Sequence, residues 1–533
     1  MRRWNGWGDV SVGSAPSEHA LELLGRLVGP GTPPRDAPLD DAVAAVAASR
    51  LHEDAAWSLD PEDRLRHARG QSLPDWIALR SGRIGSVPDA VARPQDAAGV
   101  RDLLGRAAAE DLVVVPWGGG TSVVGGVGVP PGDRTAITVD LERTAGLRDL
   151  DERSGLATFG AGTTGPDVDA ALAPHGLLLG HYPQSYEYST VGGWVATRSS
   201  GQQSAGYGRI EALFAGGHLE SPAGPLDLPP HPASAAGPDL RHLVLGSEGR
   251  LGIITDVVVR ASRLPAREIV RAYAVGDWGR ALDVGRALAQ AGLPLSMVRV
   301  STPLETATTL AMAASERSRR WLRRYLDWRG QGDATCLVLV AITGRAAVVR
   351  ATEGEVGRIV RDARGVGVPG VGAAWRRERF AAPYLRNGLW EAGYAVDTIE
   401  TAASWSVIPG LAAALGPALR QGLADEDERV HAFSHLSHLY PSGSSLYLTY
   451  LFRVADDPDR TLERWRRLKT LASETIVAHG GTITHQHGVG RDHAPYLRAE
   501  KGDLGMEALG TVAARFDPEG RLSPGVLLET GDA

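Results

Sequence analysis

The apolar run Leu112–Pro116 leads straight into Pro116-Trp117-Gly118-Gly119-Gly120-Thr121-Ser122. Three consecutive glycines after a hydrophobic strand let the main chain approach another group closely. They turn successive N–H groups toward an anion, with the Thr121 and Ser122 hydroxyls as further donors. A diphosphate is the natural guest. The usual nucleotide loops are disfavoured, because the third glycine of G-x-G-x-x-G would fall on Val123 and no Gly-Lys-Ser/Thr occurs. On its own the cluster reads equally as a tight turn between strand and helix.

Two further segments shift that balance. They are Pro183-Gln184-Ser185-Tyr186-Glu187-Tyr188-Ser189-Thr190-Val191-Gly192-Gly193-Trp194-Val195-Ala196-Thr197-Arg198-Ser199-Ser200-Gly201 and Gly246-Ser247-Glu248-Gly249-Arg250-Leu251-Gly252-Ile253-Ile254-Thr255. Three Gly/Ser/Thr-rich loops interleaved with apolar strands are what one large cofactor threaded between sheets needs.

The periodicity around the loops predicts alternating strands and helices: a strand at 89–93, a helix at 96–110, strands at 112–116 and 136–141, and a hairpin around 152–155. Past Pro265 come strands at 268–275, 296–300 and 335–342, with helices at 278–291 and 346–364, which reads as a second α/β domain on an antiparallel sheet. A last helix, 459–479, precedes the stretch from Gly480 to Gly490. Residues 1–75 read as an N-terminal extension with one helical stretch, 42–51. The boundaries expected are 1–75 for this extension, 76–265 for a cofactor domain, 266–505 for a cap carrying catalytic residues, and 506–533 for a C-terminal segment.

Composition removes whole classes of function. The net charge of −7 gives no general attraction to nucleic acid. The single cysteine, Cys336, makes neither an intrachain disulfide nor a thiolate metal cluster. The N-terminus lacks the apolar run of a secretory signal and no run reaches spanning length, so the chain is expected in the cytoplasm. With only two lysines among the 56 basic residues, the codon bias suggests a bacterial source.

The three loops together resemble the FAD-binding domain of the vanillyl-alcohol oxidase and p-cresol methylhydroxylase flavoproteins. The resemblance implies an α+β fold, in which a two-subdomain FAD-binding domain carries an α/β cap. It also implies that FAD is held, without a covalent bond, by Pro116, Trp117, Gly118, Gly119, Gly120, Thr121, Ser122, Gln184, Ser185, Ser189, Thr190, Gly192, Gly193, Thr197, Arg198, Ser199, Ser200, Glu248, Gly249, Gly252, Ile253 and Ile254. Within that group, the order of Arg3-Trp4-Asn5-Gly6-Trp7-Gly8, Tyr384-Leu385-Arg386, Ile399-Glu400-Thr401, Leu446-Tyr447 and His485-Gln486-His487-Gly488-Val489-Gly490 is similar to the alkyldihydroxyacetonephosphate synthases.

That likeness implies exchange of the acyl chain of acyl-dihydroxyacetone phosphate for a fatty alcohol, through a flavin N5 adduct and without net redox change. It implies Tyr447, His485 and His487 as catalytic residues and Arg386 and Arg299 as substrate-binding residues, with no metal. Arginine suits phosphate because its charge is permanent and its donors paired; histidine suits proton transfer at cellular pH. The chain departs from the family pattern where Gln486 interrupts the histidines, Gln184 precedes the Ser-x-Glu segment, and Ser442 follows Tyr440 with one residue between.

The alternative activity is an FAD-linked 2-hydroxy acid dehydrogenase or oxidase, a class that pairs two histidines around a Gly-rich turn to hold a divalent metal. Here the segment from His438 ends in Tyr447, so the second histidine is missing. His485 and His487 also read as a metal pair that Asp492 and His493 would complete. The partners expected are lipid substrates, a second copy of the chain and a membrane surface, but no nucleic acid. The membrane contact would lie at 316–329, where Trp321, Tyr325 and Trp328 share one helical face among arginines; packing of that aromatic face onto the cap is the competing expectation.

Overall fold

The computed structural model describes residues 1–313 and 316–529, with the side chains of 312–319 outside the description. Among the described residues, eighteen strands form four sheets. The first sheet holds β1 (Trp57–Ser58), β2 (Ala90–Ala92), β3 (Val113–Trp117) and β4 (Ala136–Asp140) in the order β1-β2-β4-β3, with β4 parallel to both β2 and β3. The crossover helix Ala97–Ala109 starts where the Asp96 side chain accepts the Gly99 N–H, and it buries Val100, Leu103, Leu104 and Ala107. Val113, Val114 and Val115 are all buried, as expected for a parallel strand covered on both faces.

The second sheet contains β5 (Leu147–Asp151), β6 (Leu156–Gly160), β8 (Phe214–Ser221), β9 (Gly224–Leu228) and β10 (Ile253–Arg260), in the order β5-β6-β10-β8-β9. Short strands β7 (Leu177–Leu178) and β11 (Ser262–Arg263) pair separately. The cap sheet has seven strands: β12 (Arg267–Val275), β13 (Leu295–Ser301), β14 (Cys336–Gly344), β15 (Val366–Gly367), β16 (Tyr394–Ser404), β17 (His431–Tyr440) and β18 (Gly443–Arg453). Its order is β15-β12-β14-β13-β17-β18-β16, and every pairing is antiparallel, as the sequence pattern led one to expect.

Two helix expectations need correction. The predicted helix 42–51 is realised only as Leu39–Ala44, because the alanines beyond it expose rather than bury their surface and a short helix without packing is marginal. Helix Pro458–Ala478 is not the last: Ala494–Phe516 follows, running through position 505 and kinked at Gly502, whose φ is 68°. The chain end then returns to the first sheet, where Leu522 bridges to Val114. No helix among the described residues is long and apolar enough to cross a membrane.

Candidate active site

The Gly-rich loops press against one another. A Cβ on Gly118 would overlap the Thr190 hydroxyl, and one on Gly119 the Tyr188 carbonyl, so the first and second loops meet at positions that only glycine permits. Gly192 lies equally close to Ala161, and Gly252 to the Glu220 carbonyl. Thr190 caps helix Val191–Thr197, Ser189 Oγ accepts the Trp194 indole N–H at 2.7 Å, and Ser199 lies 3.1 Å from His181. Thr197 bonds back to the Gly193 carbonyl within the loop, whereas Arg198 pairs at 2.7 Å with Glu211 in the helix Ile210–Leu213 that follows it.

Glu248, in the third loop, is buried and accepts the Val489 and Gly490 N–H groups at 2.6 and 2.8 Å. Burial pushes its carboxyl up to about 7 although the two N–H bonds oppose the shift. The Arg491 guanidinium donates to the Gly125 carbonyl at 2.7 Å, and the Asp492 N–H reaches the Val124 carbonyl. The turn holding His485 and His487 is thereby fastened to the first and third loops. Gln184 Oε1 and Ser247 Oγ, from different loops, are buried without a hydrogen-bond partner. Such atoms call for a polar guest between the loops.

In the cap, Ser301, His435, Tyr447 and Glu400 are in register across β13, β17, β18 and β16. The Tyr447 ring stacks on His435, with centroids 5.0 Å apart, and meets His487 edge-on at 6.0 Å. Burial raises the Tyr447 hydroxyl above its usual range, so it stays protonated. Between Leu436 and Leu439 the β17 register slips. That bulge lets neighbouring Ser437 and His438 both reach toward Glu400, a re-aiming that bulges allow.

Glu400 is the hub of the row. Its carboxylate lies 3.1 Å from His485 Nδ1 and 3.8 Å from His487 Nε2, while His485 Nε2 lies 2.7 Å from the Tyr440 hydroxyl. Burial alone would raise the Glu400 carboxyl, but His485, through its charge and its hydrogen bond, together with His487 outweighs it and holds the carboxyl at about 2. Burial instead pushes His438 down to about 3, keeping it neutral. Glu400, His438 and His485 offer ligand atoms within 4.8 Å of one another, the one such trio among the described residues; Asp492 and His493 are not part of it.

The two arginines differ. Arg299 pairs with the buried Glu305 at 2.6 Å and lies 3.1 Å from His435 Nδ1. Arg386 donates to the Gln71 carbonyl at 2.6 Å and lies over the Trp76 ring at 4.2 Å, while its Nε and Nη2 are buried without a partner. Burial lowers its pKa to about 10, which leaves it cationic at neutral pH.

Sequence reasoning quoted Glu400 and Tyr440 without a role, expected Glu248 as a cofactor contact rather than as the clamp on Val489 and Gly490, and missed Arg2. Arg2 donates to the Gly119 carbonyl at 2.5 Å and lies over the Tyr188 ring. Its neighbour Trp7 exchanges two hydrogen bonds with Asn387, in the same helix as Arg386. The signal available for Arg2 was its place beside the Trp4-Asn5-Gly6-Trp7-Gly8 motif.

Comparison with known proteins agrees with this architecture. Over residues 88–224 the chain matches the FAD binding domain model, and over 264–527 the model of the C-terminal domain of FAD linked oxidases. It is 28% identical to alkyldihydroxyacetonephosphate synthase of Trypanosoma brucei brucei, covering 99% of this chain and 92% of the relative. The corresponding synthase of Dictyostelium discoideum is 27% identical, with 99% and 93% covered. A solved alkyldihydroxyacetonephosphate synthase structure superposes with a TM-score of 0.83 at 24% identity, covering 98% of each chain. The chain thus carries both matches in this order, an FAD binding domain followed by a C-terminal domain of FAD linked oxidases, with the vanillyl-alcohol-oxidase type of fold expected from its loops.

Proposed function

We propose that the protein is an alkyldihydroxyacetonephosphate synthase, exchanging the acyl chain of acyl-dihydroxyacetone phosphate for a fatty alcohol. The observation that carries this reading is Arg386, a buried cation whose Nε and Nη2 donors have no partner. Those two atoms form the edge of a guanidinium that receives an oxyanion in two-pronged fashion.

FAD fits the loops, because Gln184 and Ser247 hold unpartnered polar atoms there and the glycines bring main-chain N–H groups into the same place. Bound non-covalently, it supplies an electron-accepting ring. The chain supplies the rest. Arg386 holds the phosphate. His485 and His487, facing an ionised Glu400, take and return the substrate proton, and Tyr447 contributes a neutral hydroxyl. Arg299, already neutralised by Glu305, acts through His435 by holding it beneath the Tyr447 ring. Lipid substrates also fit work at the cytoplasmic face of a membrane, approached through the exposed tryptophans of helix Glu316–Trp328.

The test is anaerobic incubation with acyl-dihydroxyacetone phosphate and labelled hexadecanol. A synthase releases fatty acid and forms the ether with no electron acceptor present. Tyr447→Phe and His487→Ala should keep the flavin and lose ether formation by about 100-fold each; near-wild-type turnover in both would sink the assignment.

A second reading, an FAD-linked 2-hydroxy acid dehydrogenase, is favoured by the Glu400, His438 and His485 trio, which has the donor types of a divalent-metal site. It requires stoichiometric bound metal and anaerobic bleaching of the flavin by a 2-hydroxy acid.

A further inference from the structure

Glu400, His485 and Tyr440 are joined in a line by hydrogen bonds of 3.1 and 2.7 Å. The direction of those bonds follows from the donors available. An ionised carboxylate only accepts, so the proton of a neutral His485 sits on Nδ1 and Nε2 is left with a lone pair. That lone pair accepts the Tyr440 O–H. Ser437 Oγ donates to the same Glu400 oxygen at 3.0 Å, and Arg209 holds the His485 carbonyl at 2.8 Å, so both ends of the imidazole's setting are fixed. Glu400 and His485 are buried, whereas Tyr440 is only half-buried. The line therefore has a closed end at the carboxylate and an open end at the phenol.

We propose that these three residues form one proton relay, in which the Tyr440 hydroxyl receives the proton of the incoming fatty alcohol. This rests on the synthase reading above. As the alcohol oxygen bonds to the C1 carbon of the substrate, its proton passes to Tyr440 Oη while the Tyr440 proton passes to His485 Nε2. The acyl chain has by then left C1 as a carboxylate, taking the C–O electron pair with it, and the alcohol oxygen takes the place it vacated. The imidazolium that results faces the Glu400 carboxylate and returns its proton to solvent once the ether product has gone. Tyr440 is then a catalytic residue and Glu400 a positioning residue that acts through His485.

The groups facing His485 are Glu400 from β16, His438 and Tyr440 from β17, Arg209 at its carbonyl, and His487 from its own segment. Of these, His438 is kept neutral by burial and the Tyr440 phenol is pushed up to about 12, also by burial, so neither ionises through the working range. A phenol with so high a pKa gives up its proton only as it gains another, which is the behaviour a relay needs.

The experiment separates the two halves of the reaction in the FAD-loaded enzyme. Tyr440→Phe should slow incorporation of labelled hexadecanol by about 100-fold, yet leave single-turnover release of fatty acid within about twofold. Glu400→Gln should lower turnover for alcohol incorporation by about tenfold with the KM for hexadecanol unchanged, because the carboxylate acts on the transferred proton and not on binding. Equal slowing of both halves in Tyr440→Phe, or a raised KM with unchanged turnover in Glu400→Gln, overturns the relay. The histidine 15N spectrum of the holoenzyme gives a readout independent of turnover. His485, assigned by its loss in His485→Gln, should appear as the Nδ1–H tautomer, and an Nε2–H tautomer overturns the proposal. If the wild-type protein releases no fatty acid, the synthase reading fails on its own, and the tautomer still decides whether the line is wired as described.

Discussion

Gly119 lies so close to the Tyr188 carbonyl that a Cβ there would overlap it. The glycine is thus required by the contact between the first and second flavin loops, before any cofactor is considered. Tyr188 in turn receives the Arg2 guanidinium and the Trp7 ring edge, with Trp7 and Tyr188 centroids 5.5 Å apart. Substituting Gly119→Ala pries the loops apart and should leave the purified protein colourless, while Gly105→Ala, at a helical site with open space, should load FAD normally. Flavin absorbance per mole of protein checks both.

At Arg386 the charge alone is not what the site offers. The guanidinium lies over Trp76, donates Nη1 to Gln71, and keeps two adjacent donors unpaired. An ammonium in Arg386→Lys supplies neither the stacking nor the paired donors. We expect the KM for the phosphate substrate to rise by about tenfold or more, as the loss of one charge-assisted bond implies, with flavin content unchanged. A rise seen with Arg386→Ala but absent with Arg386→Lys would show that charge suffices.

Asp492 gives a pH signature of its own. Burial pushes its carboxyl up to about 7, with Lys469 opposing the shift and Asp75 and Asp397 adding to it, and Oδ2 has no partner. Its folded pKa thus lies above the unfolded value of 3.8. The folded state therefore holds the extra proton between those limits, and this carboxyl's contribution to stability falls as pH rises from about 4 to about 7. Asp492→Asn removes the titration. Its melting temperature relative to wild type should climb across that window, by the equivalent of about 4 kcal/mol at most, and stay level above pH 8. A constant difference from pH 5 to pH 8 would contradict the assignment.

What the sequence made legible was whatever repeats locally. The Val113–Val115 run, the loops that follow the strands, and the alternation of strand and helix past Pro265 each carry their own period, and the structure matches them. Helix Ala494–Phe516 was hidden because Gly502, Gly505 and Gly510 dilute its propensity. Tyr440 was hidden for a different reason: strict alternation along β17 cannot anticipate a bulge, and the bulge is what brings both Ser437 and His438 toward Glu400 just before Tyr440. His485 and His487 share Glu400, as an extended His-x-His spacing implies, yet the carboxylate they share lies 85 residues from His485. Glu248 and Arg2 act across 241 and 117 residues, distances no local pattern records.

Helix Glu316–Trp328 divides its aromatic side chains between two neighbours. Leu322, Tyr325 and Leu326 pack on the cap sheet, and the Tyr325 hydroxyl donates to the Gly367 carbonyl at 2.9 Å. Tyr325 therefore belongs to the cap, which corrects the expectation of a single outward aromatic face. Trp321 and Trp328 flank it and remain 59% and 77% exposed. Trp321 stacks on Tyr325 with the two rings 3° from parallel, and the Arg329 guanidinium lies over Trp328, so both indoles are braced at the surface. Indoles at a water boundary with arginines beside them suit the headgroup layer of an anionic membrane, while the protein's net charge of −7 opposes any less local attraction. Co-sedimentation with vesicles rich in anionic lipid should therefore be strong at low salt and weak at high salt. Trp321→Ala with Trp328→Ala should lower the bound fraction at both salts, by about tenfold in affinity, whereas Arg323→Glu should act at low salt only. Binding that survives the double tryptophan variant, with the flavin spectrum intact, would place the membrane contact elsewhere on the molecule.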